Sequence, residues 1–202
     1  MYSLIALIHL DGDAATVSDA LAQQGAIVAP VLEGNFNGGD LSAIWTFADV
    51  ASHAAALPAI EHILNGADVA RSDTAFFKNG QSNVSEPGLT SGVHRTLFLC
   101  ADHNATEARL GQFETEMVQM ARHIPAIRNW RFSRVLAATG ELPWTHVWEQ
   151  EYADIGGLMG PYMLHPYHWA FIDRWFDLEC PDWLVNLRLC HSFALYGKAV
   201  LS

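Results

Sequence analysis

The chain has 202 residues, half of them apolar, which allows one large domain or two small ones built around a real core. Its formal net charge is −11, from 11 basic and 22 acidic residues, and this balance argues against nucleic acid and anionic membrane surfaces as partners. No apolar run approaches the ~20 residues of a membrane span, and the N-terminus lacks the features of a signal peptide. The three cysteines show no pairing pattern, so we expect a soluble cytoplasmic protein.

The first 77 residues alternate short apolar runs, typical of strands, with segments of helical character. Gly25 ends the first helical segment, and Asn65-Gly66 ends the second. The order of elements is β-α-β-β-α-β, as in a ferredoxin-like unit. The predicted strands are residues 3–10, 27–32, 41–47 and 69–77, and the predicted helices are residues 14–24 and a segment capped by Asp49 or Ser52 that runs to about residue 64.

Residues 78–92 read KNGQSNVSEPGLTSG and predict a linker, because they combine Gly, Ser and Pro without apolar periodicity. After this linker the same order of elements repeats at a spacing of roughly ninety residues. Residues 191–202 form a tail that we expect to pack on the rest or to pair with a sheet edge. The predicted strands are residues 93–101, 130–137, 145–152 and 183–189, and the predicted helices are residues 104–124, residues 154–162 and one opened by Pro166.

The domain organisation predicted from this pattern is a pair of ferredoxin-like repeats, residues 1–77 and 93–190. Each repeat alone makes an antiparallel sheet with helices on one face, which leaves the other face uncovered. Two repeats can cover each other's open faces. We therefore predict an α+β fold in which tandem repeats close one barrel within the chain, an arrangement compatible with a homodimer through its outer surface.

The most distinctive stretch of the sequence is residues 162–168, which contains two tyrosines and two histidines and runs into an apolar helical stripe. Pro166 disfavours helical geometry at His165 and is well suited to open a helix. His168 then falls in the first turn, where the positive end of the helix dipole disfavours a cation. We predict that His168 is neutral and acts as a general base, with Tyr162 close by.

Two further histidines lie on predicted strands of the second half. His94 shares a strand face with Thr96 and Phe98, and His146 shares one with Trp148. A lone histidine of this kind is more often a satisfied core residue than a functional one. These two join Tyr162 and His168 only if their strand faces turn toward the helix that starts at Pro166.

The second half resembles the stress-responsive A/B barrel family, a family of dimeric α+β barrels, over about residues 93–190. The resemblance rests on His94 before an apolar strand, on the Ile-Pro-Ala-Ile of residues 124–127, on Thr145-His146 and on the Tyr-x-x-His-Pro-x-His of residues 162–168. Residues 57–60 of the first half lack the last motif, with Ile60 in place of the final histidine, so we predict a degenerate site there.

The resemblance implies site residues, by similarity to a plant polyketide cyclase of that family. His168 would be the general base and Tyr162 the residue that holds and activates the substrate. It also implies a pocket between the helices and the sheet face. The residues that would bind substrate in this pocket are His94, His146, His165, Met117, Trp148 and Phe171.

The hypothesis for function is a cofactor-free acid–base enzyme that cyclises or cleaves a small polyketide-like or aromatic carbonyl compound by aldol-type chemistry. One alternative is a non-catalytic stress-responsive or ligand-binding barrel, and another is a haem-binding or haem-degrading relative. A metal site is disfavoured, because no carboxylate or cysteine stands at ligand spacing beside the histidines. We therefore expect a small-molecule substrate and neither metal nor cofactor.

Overall fold

A computed structural model describes residues 1–201 and confirms the α+β fold class. No helix within these residues combines the length and the apolar character needed to cross a membrane. The strands are Tyr2–Leu10 (β1), Ile27–Pro30 (β2), Leu41–Phe47 (β3), Val69–Lys78 (β4), Gln81–Val84 (β5), Val93–Leu99 (β6), Asn129–Thr139 (β7), His146–Tyr152 (β8) and Cys190–Leu195 (β9). The α-helices are Ala14–Gln23 (α1), Val50–Leu64 (α2), Glu107–His123 (α3) and Ile155–Gly157 (α4), followed by π-helical segments Leu158–Tyr162 and Tyr167–Ile172 and a 3-10 turn at Asp173–Trp175.

The two halves have the same antiparallel strand order. It is β2-β3-β1-β4 in the first half and β7-β8-β6-β9 in the second. Between the halves, β4 pairs with the end of β7, and on the far side the Leu32 amide donates to the Phe193 carbonyl at 2.8 Å while Val31 bridges Ala194. These contacts close a barrel within one chain. The matching order is what tandem repeats predict, and descent of the halves from one repeated unit stays a prediction.

The barrel interior is an apolar core to which both halves contribute. Ile5, Ile44 and Phe77 from the first half pack with Phe98 and Val147 from the second. Burial of each such side chain contributes about 1.5–3 kcal/mol, so the two halves stabilise each other.

Helices cover the outer face of the sheet in two separate layers. Val17 of α1 and Ile60 of α2 face the first half, and Phe113 and Met117 of α3 face the second. Asp13 caps α1, and Asp49 forms a capping box with Ser52 at the start of α2. The cap of α3 is Thr106, whose hydroxyl accepts from the Arg109 amide, so the helix starts later than residue 104.

The predicted linker at residues 78–92 is partly wrong. Residues Gln81–Val84 form β5, which pairs with the first residues of β7 from Gln81↔Phe132 to Val84↔Asn129. The polar sequence of β5 hides this strand, because its residues stay mostly exposed at the rim of the barrel. A strand that is not buried lacks the apolar alternation by which sequence reveals strands.

The predicted last strand at residues 183–189 is also wrong. Only Val185 of this stretch forms a bridge, to Ala101, and the strand that pairs with β6 is Cys190–Leu195. Leu184, Val185 and Leu189 pack on the core as an irregular segment, whereas Trp183 and Leu187 are exposed, so the apolar–polar alternation of residues 183–189 does not mark a strand. Residues 191–195 of the predicted tail belong to β9, which pairs with β6.

Candidate functional site

The connection between β8 and β9 is a broken helical region, because its sequence interrupts regular α-helix twice. Pro161 and Pro166 lack the amide hydrogen that a helix requires, and three glycines precede them at positions 156, 157 and 160. The chain responds with two short π-helical segments on either side of a turn. π-helical turns recur at functional sites, and this one places Tyr162 and His168 on the same inner surface.

A cavity of about 230 Å³ lies between this broken helical region, α3 and the outer face of β6 and β9. Three of the predicted site residues line it: His168, Tyr162 and Met117. The Tyr162 and His168 rings contact each other with centroids 4.5 Å apart. Other residues that line the cavity are Arg95, Leu97, Asp173 and His191.

His168 is a half-buried imidazole whose Nδ1 atom is buried without a hydrogen-bond partner. Burial, and then the positive charge of Arg95, lower its pKa to about 4, against a smaller opposing effect of a hydrogen bond with the Met163 backbone. The neutral state predicted from sequence is thus supported by a different cause. We expected the helix dipole to keep the imidazole neutral. The helical segment that starts at Tyr167 has only six residues, and burial and the charge of Arg95 lower the pKa of His168 instead.

Tyr162 is a fully buried phenol that accepts a hydrogen bond from Arg95 Nη1 at 3.0 Å. Burial raises its pKa, which the neighbouring guanidinium partly offsets, so the hydroxyl is protonated at neutral pH. Because its oxygen accepts from Arg95, its own hydrogen can be donated to a ligand oxygen. Tyr162 is therefore placed as a hydrogen-bond donor at the cavity wall.

Arg95 connects the polar groups of the cavity. Its Nη1 also donates to Gln150 Oε1 at 2.5 Å, and its Nε donates to His191 Nε2 at 2.6 Å. The guanidinium lies 4.9 Å from the centroid of the Tyr162 ring. Burial and the charge of Arg95 lower the pKa of His191 to about 2, so His191 is a neutral acceptor.

Asp173 is the one carboxylate that lines the cavity within the described chain. Asp173 is an exposed residue, and the partial burial of its carboxyl group raises the pKa of that group. The ion pairs found among residues 1–201 do not include Arg95 or Asp173.

The structure does not bring His94 into this cavity. β6 presents Val93, Arg95 and Leu97 to the helices, so His94 points to the other face, into the barrel. There its Nε2 lies 3.3 Å from Glu149 Oε1, and its ring packs edge-on against Tyr196. The condition for His94 to join Tyr162 and His168, that its strand face turns toward the helix that starts at Pro166, is therefore not met.

His146 faces the helices but lies outside the cavity, in the core under α3. Its Nε2 is 3.1 Å from Glu114 Oε1, and its Nδ1 is 2.9 Å from Thr145 Oγ1. Its ring stacks on Phe132 with centroids 5.4 Å apart. Burial opposes ionisation of Glu114, but hydrogen bonds from His146 and Arg134 hold its pKa below the usual value. His146 has the contacts of a satisfied core histidine.

The remaining predicted site residues lie around the cavity without lining it. His165 acts as a cap, since its Nδ1 accepts from the Tyr167 amide at 3.1 Å. Trp148 is buried in the core between Trp130 and Phe132. Phe171 is 37% exposed and packs under the Arg174 guanidinium.

Sequence reasoning missed Arg95 and His191. Arg95 interrupts an apolar strand face, and a charged residue with Val93 and Leu97 on either side was the signal that could have found it. His191 could not be found in this way, because its strand was assigned seven residues too early. Among residues 1–201, no group of three or more His, Cys, Asp or Glu side chains could hold a metal ion.

A smaller cavity of about 170 Å³ lies under α2, between β4 and the end of β7. Its histidine is His53, whose ring stacks on Phe76 with centroids 3.6 Å apart and whose pKa is lowered by burial. Neither an arginine nor a tyrosine lines this cavity in the described structure. The cavity thus lacks the polar set of the second half.

Comparison with known proteins agrees with this fold. An anthrone oxidase-like protein is 10% identical, with a TM-score of 0.67 over 96% of this chain and 90% of the other. A candidate monooxygenase from Lactobacillus acidophilus NCFM is 12% identical, with a TM-score of 0.55 over 100% and 98%. A chlorite dismutase variant from Candidatus Nitrospira defluvii is 10% identical, with a TM-score of 0.51 over 96% and 90%.

At these identities the solved structures establish the fold alone. No curated protein shows a significant match to the sequence. The family model described as the stress responsive A/B barrel domain matches residues 93–186, the half that contains the cavity with Tyr162 and His168. The second half of the chain therefore matches the stress-responsive A/B barrel domain.

Proposed function

We propose that the chain is a cofactor-free acid–base enzyme that makes or breaks a carbon–carbon bond in a small carbonyl compound. The observation that carries this proposal is His168, a neutral imidazole with a buried, unpartnered Nδ1 atom that lines a cavity beside the Tyr162 hydroxyl. A nitrogen lone pair next to a hydroxyl donor is the pair that enolate chemistry requires.

The proposed step begins with transfer of a proton from the carbon next to a ligand carbonyl to the neutral imidazole of His168. The electron pair moves onto the carbonyl oxygen, and Tyr162 donates a hydrogen bond to the resulting enolate. Attack of the enolate carbon on a second carbonyl of the same molecule forms the ring. The new alkoxide then takes the proton back from the imidazolium. Carbon–carbon cleavage is the same sequence in reverse.

Support also comes from the resemblance of residues 162–168 to the corresponding motif of olivetolic acid cyclase, a plant polyketide cyclase. In this chain Arg95 and His191 line the cavity, and His94, which matches a pocket histidine of that enzyme, faces the barrel interior. The substrate class is therefore expected to differ. The cavity is below the roughly 300–1,000 Å³ of pockets for drug-sized ligands, which favours a small molecule and gives no support to haem.

A second candidate function is binding of a small ligand without turnover. It is favoured by the pKa of His168, about 4, which makes the ring a weak base in the free protein. General bases usually work best with a pKa near the operating pH. This candidate and the enzyme share the cavity and differ only in whether the bound molecule reacts.

The test is turnover of small β-diketones and β-polyketo esters, followed by loss of their enol absorbance. We expect wild type to convert at least one of them and His168→Ala to be slower by roughly 10²–10⁴-fold. His62→Ala, an exposed histidine of α2, is the matched control and should keep the wild-type rate. A folded His168→Ala protein with full activity would disprove the acid–base assignment. A wild-type protein that binds these compounds and converts none would favour binding alone.

A further inference from the structure

Arg95 is a buried cation that forms no ion pair with any of residues 1–201. Arg95 is only 4% exposed. Its hydrogen bonds go to Gln150, Tyr162 and His191, all of which are neutral. A buried charge without a partner is costly, because hydrogen bonds to neutral groups replace only part of its lost hydration. A group of this kind is expected where a ligand completes it.

The other buried arginine of the described chain provides an internal comparison. Arg131 is 7% exposed, and Glu149 holds it through two hydrogen bonds of 2.6 and 2.8 Å in the barrel interior. The chain therefore pairs the buried arginine that faces its core and leaves unpaired the buried arginine that lines its cavity. This contrast sets Arg95 apart from a structural ion pair.

We propose that the cavity binds a small organic carboxylate, whose negative charge pairs with Arg95. A guanidinium recognises carboxylates by charge-assisted hydrogen bonds, and these are about twice as strong as neutral ones. Leu97, Met117 and Ile172 supply the apolar walls for the body of the ligand. A phosphate dianion is disfavoured, since the cavity offers a single cation and contains the Asp173 carboxylate.

The consequence for chemistry rests on the proposed function. The positive charge of Arg95 lowers the pKa of His168, and Arg95 is the second largest cause of that shift after burial. A carboxylate bound to Arg95 offsets this charge and raises the pKa of His168 toward its usual value. The carboxylate would thus make His168 a stronger base when the ligand is present.

Binding of matched probes tests the proposal with the full-length protein. Benzoate and benzamide have the same shape, and only benzoate carries a charge; hexanoate and hexanamide form a second pair. Titrations would be followed by intrinsic tryptophan fluorescence and by calorimetry. We expect each carboxylate to bind wild type roughly 10- to 100-fold more tightly than its amide, the range expected for a charge-assisted hydrogen bond.

Substitutions then assign the preference to Arg95. Arg95→Gln keeps polar contacts but removes the charge, and it should abolish the preference for carboxylates, whereas Arg95→Lys should retain most of it. Arg128→Gln is the matched control, because Arg128 is an exposed arginine paired with Glu86 on the outer surface. The wild-type comparison of benzoate with benzamide decides the question even where a variant fails to fold.

Equal binding of carboxylates and amides to wild type would overturn the proposal, and so would an unchanged preference in folded Arg95→Gln. Neither result bears on proton transfer by His168. Conversely, His168→Ala should still prefer benzoate, because the preference depends on Arg95. Tight carboxylate binding without turnover of any β-dicarbonyl compound would support the anion site while the proposed function fails.

Discussion

At the residue scale, the cavity brings together two basic groups, Arg95 and His168, and the charge of the first disfavours protonation of the second. His168 can accept a proton only while neutral, and burial, together with the smaller effect of Arg95, lowers its pKa and so keeps it neutral but makes it a weaker base. Tyr162 touches both, through its hydroxyl with Arg95 and through its ring with His168. A change at any one of the three is therefore expected to alter the other two.

The first residue-scale prediction concerns pH. The pKa of His168 is about 4 in the folded protein, so kcat/KM should be constant above neutral pH and should fall as pH drops through about 4. In Arg95→Gln this lower limb should move to higher pH, since burial alone then lowers the pKa. The pH–rate profile and NMR titration of the His168 ring measure the shift, and an unchanged midpoint would show that Arg95 does not control His168.

The second residue-scale prediction concerns the Tyr162 hydroxyl. Tyr162→Phe removes one donor at the position of the developing oxyanion and should lower kcat by roughly 10²-fold or more, with KM nearly unchanged. Phenylalanine keeps the ring contacts with Tyr152 and His168, so thermal melting should change little. A rise in KM with an unchanged kcat would mean that Tyr162 binds substrate and does not stabilise the enolate.

At the element scale, the sequence predicted regular elements well and irregular ones poorly. The capping residues and apolar stripes of α1 and α2 fix their limits within one or two residues. The sequence predicted two regular helices for the broken helical region. Tertiary contacts determine its irregular conformation. Trp175 packs edge-on against Phe113, and its indole Nε1 donates to Glu116 Oε2 at 2.8 Å.

Only half of the candidate site was predictable from the sequence, because the rest depends on how the elements are oriented. Tyr162 and His168 stand out in one short motif, and Met117 lies on a helix stripe of clear period. Assigning His94 required knowing which face of β6 turns outward, and alternation gives the two faces without saying which is which. Arg95 took the outward face, so the histidine assigned to the cavity lies in the barrel.

A prediction at this scale concerns the start of the second π-helical segment. His165 Nδ1 accepts the Tyr167 amide hydrogen, so His165→Ala should lose about 1 kcal/mol of unfolding free energy, the usual effect of losing a helix cap. His165→Asn should restore most of it, because an amide oxygen also caps. Denaturant unfolding measures both variants. A large loss of kcat/KM in His165→Ala without loss of stability would return His165 to the substrate-binding residues.

At the scale of the whole molecule, the buried histidines couple stability to acid. The pKa of His168 is lowered to about 4 and that of His191 to about 2, both first by burial, whereas unfolding restores a value near 6.5. Below pH 6.5 the unfolded state therefore binds more protons, and stability falls as pH drops through this window. His191→Asn should show a shallower loss between pH 6.5 and 4 in urea melts. An equal slope in both proteins would exclude His191 as a source.

The barrel itself was predictable because it follows from two facts visible in sequence. Each half has the pattern of a sheet with helices on one face, and the halves share one element order. The strands β5 and β9 were not predictable, since β5 lies in a stretch without strand-like alternation and β9 begins after the strand that was assigned as the last one. Pairing with neighbouring strands of the barrel determines where these two strands lie.

The final prediction is that the halves do not fold apart. The barrel core contains Ile5, Ile44 and Phe77 from the first half against Phe98 and Val147 from the second, so separation exposes an apolar sheet face on each fragment. Fragments 1–77 and 93–202 should therefore be poorly soluble alone, and fragment 78–202, which keeps β5, should behave little better. Co-expression of 1–77 with 78–202 should restore a soluble one-to-one complex, because β4 then pairs with β7 and residues 31–32 with β9. Sedimentation and circular dichroism measure these states, and soluble, folded, monomeric halves would show that closure of the barrel does not stabilise the chain.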